Sequence, residues 1–273
     1  MSGATPADLH DLIAAGDPFG GRRHAGAVTP LTFQAADGVP LYLALGEADI
    51  AGAARALASA WRTLGVRKGD YVLIYDYGTS PVTLFASWCY VPWLRRGAAD
   101  LLGAVPICND GLPEFAGRAL HVLQYLRPRV TIVDHAHMPI LLRRVAENRA
   151  HVSDWTELLV VSADEETVPP AEVAAWSRDL GLPVRLLLRA GPALFFAAEC
   201  AEGALHADPR HYRVGVVERP GQMPSANGEG TLCVTNRFLQ GTTVEHYLAN
   251  VHVSIDHGPC PCGRPGRPLR CLA

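Results

Sequence analysis

Four short apolar runs, set apart by helical segments, constrain this chain more than any other feature. YVLIY (Tyr71–Tyr75), AVPIC (Ala104–Cys108), VTIVD (Val130–Asp134) and LLVVSAD (Leu158–Asp164) are each long enough for one strand, and each stops in polar residues. None alternates polar with apolar, as a half-solvated strand would, so both faces must be buried. Segments of helical character follow the second, third and fourth of them, near Phe115–Leu126, Pro139–Arg149 and Pro170–Leu180. A further helix is predicted over Leu84–Leu102 despite Pro92, and another from Glu47, where Ile50, Ala54, Leu57, Ala58, Trp61 and Leu64 form one stripe closed by Gly65. Strands alternating with helices predict an α/β fold with a parallel sheet covered on both faces. After Ala197 the segments HYRVGVVE, EGTLCVTN and HVSIDHG read as strands. The expected division is an arm at 1–30, an α/β core at 31–196 and a small β-rich region at 197–273.

Composition excludes several classes of function. A chain of 273 residues, 49% hydrophobic, can bury a substantial core. Its net charge is -3 with no long basic run, which argues against a nucleic-acid partner. The longest apolar stretch, LPVRLLLRAGPALFFAA, is broken by two arginines and two prolines and reads as no membrane span. MSGATPADLHDL lacks the basic-then-apolar order of a signal peptide. Seven cysteines, an odd number in a chain large enough to need no disulfides, fit a reduced cytoplasm.

Chemistry-bearing residues fall in two groups. Cys200 and His206 (Cys-x5-His) with Cys260 and Cys262 (Cys-x-Cys) supply three thiolates and an imidazole. Such a closed set favours zinc in a structural role, because catalytic zinc keeps one position open. On spacing alone His211 or His257 is an alternative to His206. Cys233 reads as an apolar filler in a strand, Cys271 as an exposed bystander, and Cys108 as a buried thiol rather than a nucleophile. The second group lies just beyond the apolar runs, where an open α/β sheet binds its ligands: Asp76 and Tyr77, Asn109 and Asp110, and Asp134, His135 and His137. They are candidates for an acid, a base and hydrogen-bond donors in a pocket, and equally for helix caps and turns. His135 and His137 alternate, so an extended backbone would point them to opposite sides.

Four pieces in order resemble the adenylate-forming superfamily, in particular its phenylacetate–CoA ligase-like branch. They are ALASAWRTLGVRKGDYVLIYDYG; LLVVSADEETVPPAEVAAWSRDLGLPV; AAEC with GALH; and GEGTLCVTN with GPCPCGR. The Cys-His-Cys-Cys set is particular to that branch, and its pattern favours His206. The resemblance implies an α/β fold whose usual work is to activate a carboxylic acid as an acyl-adenylate and pass the acyl group to a thiol. It also shows departures. The family's phosphate loop, approximately T-S-G-T-T-G-x-P, corresponds to FQAADGVPL, where Ala35, Ala36, Asp37 and Gly38 offer no hydroxyl and one repelling carboxylate. The magnesium-binding Y-G-x-T-E motif falls on Leu188–Pro192 and the ribose-binding Y-x-T-G-D motif on Tyr247–Val251, both without the family's carboxylate. The sequence stops at Ala273, so the C-terminal ligase domain with its lysine is expected to be absent.

These readings predict a degenerate, ligase-like zinc protein, ATP and magnesium not being expected. It leans toward a repurposed biosynthetic enzyme acting on a small acyl or aromatic substrate without adenylation. One alternative is a non-catalytic partner of a full-length ligase or carrier protein; another is a ligase active only with a partner chain. A homodimer is compatible with each.

Overall fold

The computed structural model describes residues 16–19, 21–24, 26–27, 29–34, 40–88, 94–219 and 221–272. The phosphate-loop counterpart Ala35–Gly38 and the whole first half of the arm, residues 1–15, lie outside these residues. A hairpin comes first, β1 (Thr29–Gln34) against β2 (Pro40–Leu45), followed by α1 (Glu47–Thr63). Every residue of the predicted α1 stripe is buried, each large one worth about 1.5–3 kcal/mol when removed from water. Gly65 follows with φ 88°, the left-handed conformation that ends a helix without a Cβ penalty. At the other end of α1 the buried Asp49 accepts hydrogen bonds from the amides of Gly46 (2.8 Å), Gln240 (2.6 Å) and Gly241 (2.9 Å). One carboxylate thus starts the helix and ties it to a loop nearly two hundred residues away in sequence.

The strands β3 (Tyr71–Asp76), β4 (Val105–Asp110), β5 (Val130–Asp134), β6 (Leu158–Asp164) and β7 (Val184–Ala190) pair in parallel, in the order β4-β3-β5-β6-β7. They are connected by α2 (Pro81–Leu84), α3 (Ala98–Leu102), α4 (Ala116–Leu126), α5 (Met138–Glu147) and α6 (Pro170–Leu180). β5 is buried throughout and β3 everywhere except Tyr71, as strands covered on both faces must be. The sheet then continues antiparallel through β8 (Phe195–Glu199), β9 (Leu205–His206), β13 (Leu269–Cys271), β12 (Tyr247–Ile255), β11 (Gly228–Asn236) and β10 (Tyr212–Val217). Together they make one 11-stranded sheet among the described residues.

Three local expectations are corrected. The helix predicted over Leu84–Leu102 is two short ones. Ser80 caps α2 by accepting from the Thr83 amide (3.2 Å), and the chain then doubles back, with Ala98 and Ala99 donating to the carbonyls of Phe85 (2.8 Å) and Ala86 (2.9 Å). A continuous helix would hold Phe85 and Ala98 about 20 Å apart. Gly97 allows the approach, since a Cβ there would sit 2.3 Å from the Ser87 backbone. His135–His137 is a 3₁₀ turn rather than a strand end, because the Asp134 carboxylate accepts from the Ala136 amide (3.0 Å) and bends the chain. Cys271 is half-buried against the core, where burial pushes its thiol up to about 11. Cys233 is buried, as expected of a filler.

Candidate functional site

Strand β3 leads to β4 on one side and, after it, the chain returns to β5 on the other. The carboxyl ends of β3 and β5 therefore flank the switch point where open α/β sheets bind ligands. Asp76 ends β3, Asp134 ends β5, Asp164 ends β6, and Arg189 lies one residue before the end of β7. The parallel register brings all four together. Arg189, 5% exposed, donates to the Asp134 carboxylate at 2.6 Å and has Asp76 and Asp164 oxygens at 3.8 and 3.9 Å.

Three carboxylates around one guanidinium leave negative charge in excess. Burial raises the Asp76 pKa, opposed by Arg189 and reinforced by Asp134. Burial likewise raises that of Asp164, again opposed by Arg189. Burial by itself would loosen the Arg189 proton, but Asp76, Asp164 and Asp134 outweigh it and hold that proton more firmly than usual. The cluster is thus a fixed cation beside two acids, Asp76 and Asp164, that keep protons to higher pH than free aspartate does.

The rim is aromatic. His137 is buried, with its ring 5.1 Å from Tyr75 and 4.7 Å from the half-exposed Tyr77, and its Nδ1 lies 3.6 Å from an Asp134 oxygen. Asp76 Oδ2, His137 Nδ1 and Arg189 Nε are buried without hydrogen-bond partners. Such groups cost free energy when left alone and mark places where a ligand group or a water completes the network. Gly111 closes the rim, its amide donating to the Asp76 carbonyl (3.0 Å); a Cβ there would come within 2.8 Å of the Asp76 and Tyr77 backbone and 2.7 Å of the His137 ring.

Of the residues singled out from sequence, Asp76 and Tyr77 lie in this cluster with Asp134 and His137. Asn109 is buried one strand away, where its amide group accepts from Arg118 Nε (2.6 Å) and donates to the Phe115 carbonyl (3.2 Å). Asp110 ends β4 beside Gly78. His135 turns away, its Nδ1 2.6 Å from a Glu166 oxygen and its ring 5.8 Å from that of Trp176. Sequence reasoning misses Arg189, Asp164 and Glu165. The available signal is a charged residue inside the apolar run VRLLLRA, since a buried guanidinium needs carboxylates. Glu165, with φ 53°, accepts from the Tyr247 hydroxyl (2.7 Å) and the Asn250 amide (3.2 Å), and burial pushes it up to about 7.

A second cluster joins Cys200, His206, Cys260 and Cys262, whose ligand atoms all lie within 4.8 Å of one another. Cys200 Sγ and Cys260 Sγ are 3.8 Å apart, and Cys262 Sγ is 3.3 Å from His206 Nε2. In a tetrahedron the edge is about 1.6 times the bond, so metal–sulfur bonds of about 2.3 Å demand an edge of about 3.8 Å. Burial, reinforced by Arg264, holds the His206 pKa down and so favours the neutral ring that a metal requires. The residues fit a tetrahedral divalent ion. His206, rather than His211 or His257, completes the set.

This architecture, a doubly wound parallel sheet extended by antiparallel strands, is the fold of the N-terminal core of adenylate-forming CoA ligases. The chain is similar to 2-hydroxyisobutyryl-CoA ligase bound to its acyl-adenylate and CoA (17% identity, TM-score 0.75), with 98% of this chain and 62% of that one covered. It is also similar to an anthranilate–CoA ligase bound to anthranoyl-AMP (12%, TM-score 0.59, 89% and 46%) and to an acyl-CoA synthetase of Brucella canis (15%, TM-score 0.60, 92% and 46%). The chain thus spans less than two thirds of each ligase. No protein-family model and no curated protein matches the sequence. Among the described residues no helix is long and apolar enough to cross a membrane.

Proposed function

We propose that this chain is a ligase-fold protein without a working nucleotide site, acting on a small acyl or aryl substrate at the carboxyl ends of β3 and β5 without adenylation. The buried Arg189 cluster carries the reading. Leu188–Pro192 stands where the resemblance puts the magnesium-binding motif, and Arg189 within it is already engaged by Asp134 and flanked by Asp76 and Asp164. A polyphosphate entering there meets excess carboxylate and a cation already spoken for. An acyl or aryl group instead meets the half-exposed Tyr77, behind which His137 and Asp76 lie buried, Asp76 holding its proton to higher pH than a free aspartate because of that burial. Cys200, His206, Cys260 and Cys262 hold zinc as a structural ion in this reading, the β-rich part beyond residue 196 being the portion it braces, in a reducing compartment that keeps the thiols free. Equilibrium dialysis of the purified chain against ATP with magnesium tests the proposal. No saturation in the micromolar range is expected, and clear micromolar binding overturns it.

A further inference from the structure

Away from the strand-end cluster, a half-open cavity of about 310 Å³ lies against the antiparallel part of the sheet. Its floor is apolar, formed with Val214 of β10, Ile255 at the end of β12 and Leu269 at the start of β13. Two arginines from separate segments bring their side chains to it, Arg237 just after β11 and Arg267 just before β13, whereas Arg213 of β10 pairs in register with Thr235 and so faces the other side of the sheet from Val214. Arg237 and Arg267 are exposed, and each is steadied by a backbone carbonyl. Arg237 donates to the Pro209 carbonyl (2.9 Å), Arg267 to the Ala226 carbonyl (2.8 Å), and Arg213 lies 3.3 Å from His246 Nε2.

Two carboxylates close by in sequence, Asp208 and Asp256, are engaged elsewhere. Asp208 is held by Arg210 (2.6 Å) and Ser59 (2.7 Å), which keep it well below the usual aspartate range against the opposing effect of burial. Asp256 pairs with Arg270 (3.5 Å). Among the described residues, Arg237 and Arg267 have no carboxylate within ion-pair distance, so two positive charges border the apolar floor without compensation. Guanidinium groups fixed on one side and free on the other suit oxyanions, which they bind by charge-assisted and often paired hydrogen bonds.

We infer that this cavity is a second binding site, separate from the strand-end cluster, for a small organic anion: a carboxylate or phosphate joined to an apolar body. The oxyanion meets the arginines and the body covers Val214, Ile255 and Leu269. Isothermal titration of the full chain with octanoate, phenyl phosphate, inorganic phosphate and uncharged benzyl alcohol tests this. Saturable binding of at least one amphiphilic anion is expected, and comparing octanoate with phenyl phosphate tells a carboxylate source from a phosphate one. Arg237→Gln and Arg267→Gln should each weaken it about tenfold, the loss of one charge-assisted hydrogen bond, and added salt should weaken it as well. These side chains are exposed, so both variants should melt with the parent. Three results would each overturn the inference: no saturation by either amphiphile below roughly 10 mM, affinity unchanged in both arginine variants, or benzyl alcohol binding as tightly as the anions. Inorganic phosphate binding as tightly as phenyl phosphate would remove the apolar half of the claim.

Discussion

Replacing Arg189 by Met keeps the length of the side chain and removes its charge. The guanidinium is 5% exposed and serves Asp134 at 2.6 Å, with Asp76 and Asp164 beyond. Removing one partner of a buried pair costs about 3–5 kcal/mol, because the charge left behind is neither solvated nor neutralised. Against a typical total stability of about 5–15 kcal/mol this is a large fraction. It corresponds to a fall in melting temperature of roughly 10 °C, at about 2–4 °C per kcal/mol. The sign of the pH dependence follows from the acids. Asp76 and Asp164 have folded-state pKa values raised above 3.8 by burial, and loss of Arg189 raises them further. An acid with a raised folded pKa stabilises fully below its unfolded pKa and loses that contribution as pH rises through the folded value. The deficit of Arg189→Met should therefore be larger near pH 8 than near pH 5. Urea unfolding followed by far-UV circular dichroism at both pH values measures it. Asp134→Asn combined with Arg189→Met should cost less than the two single changes summed. A variant within about 1 kcal/mol of the parent at pH 8, or a deficit independent of pH, refutes the buried ion cluster.

Three further outcomes follow from the same geometry. Glu165 is raised from 4.5 to about 7, so the parent should lose on the order of 3 kcal/mol relative to Glu165→Gln as pH rises through that interval; parallel urea midpoints across it would contradict this. Gly111→Ala drives a methyl into the His137 ring and the Asp76–Tyr77 backbone and should cost about 1–3 kcal/mol in urea unfolding; a neutral result would mean that the rim yields freely. Chelation, or Cys260→Ser, should lower the melting temperature and erode the β signal by circular dichroism. Loss of activity with both readouts unchanged would contradict a structural ion.

The parallel half of the fold is legible because a strand buried on both faces is apolar on both faces rather than alternating, as the runs VTIV and LLVV are before they end in polar residues. The Cys-His cluster is legible because few other roles place three cysteines and a histidine in that spacing. Arg189 is not, because within VRLLLRA it reads as an interruption, and its partners end three other strands whose order the sequence does not print. The same limit hides Glu165, which meets Tyr247 across some eighty positions. The fold-back at Gly97 escapes a helical reading because residues of moderate helix propensity form helix or turn according to tertiary contacts. His135 and His137 do diverge, through a turn set by Asp134 rather than through strand alternation.

The antiparallel half of the sheet is spliced to the parallel half by very little. β9 has two residues, β13 has three, and they meet at the single register pair Leu205↔Leu269. Cys200, His206, Cys260 and Cys262 surround that splice. If the four ligands let go, β8 and β12 would become raw strand edges in the middle of a large sheet, flanked by buried apolar residues. Unpaired edges of this kind recruit strands from other molecules. A metal-starved or oxidised population should therefore leave solution as aggregate before it accumulates as soluble unfolded chain, and its loss should steepen with protein concentration.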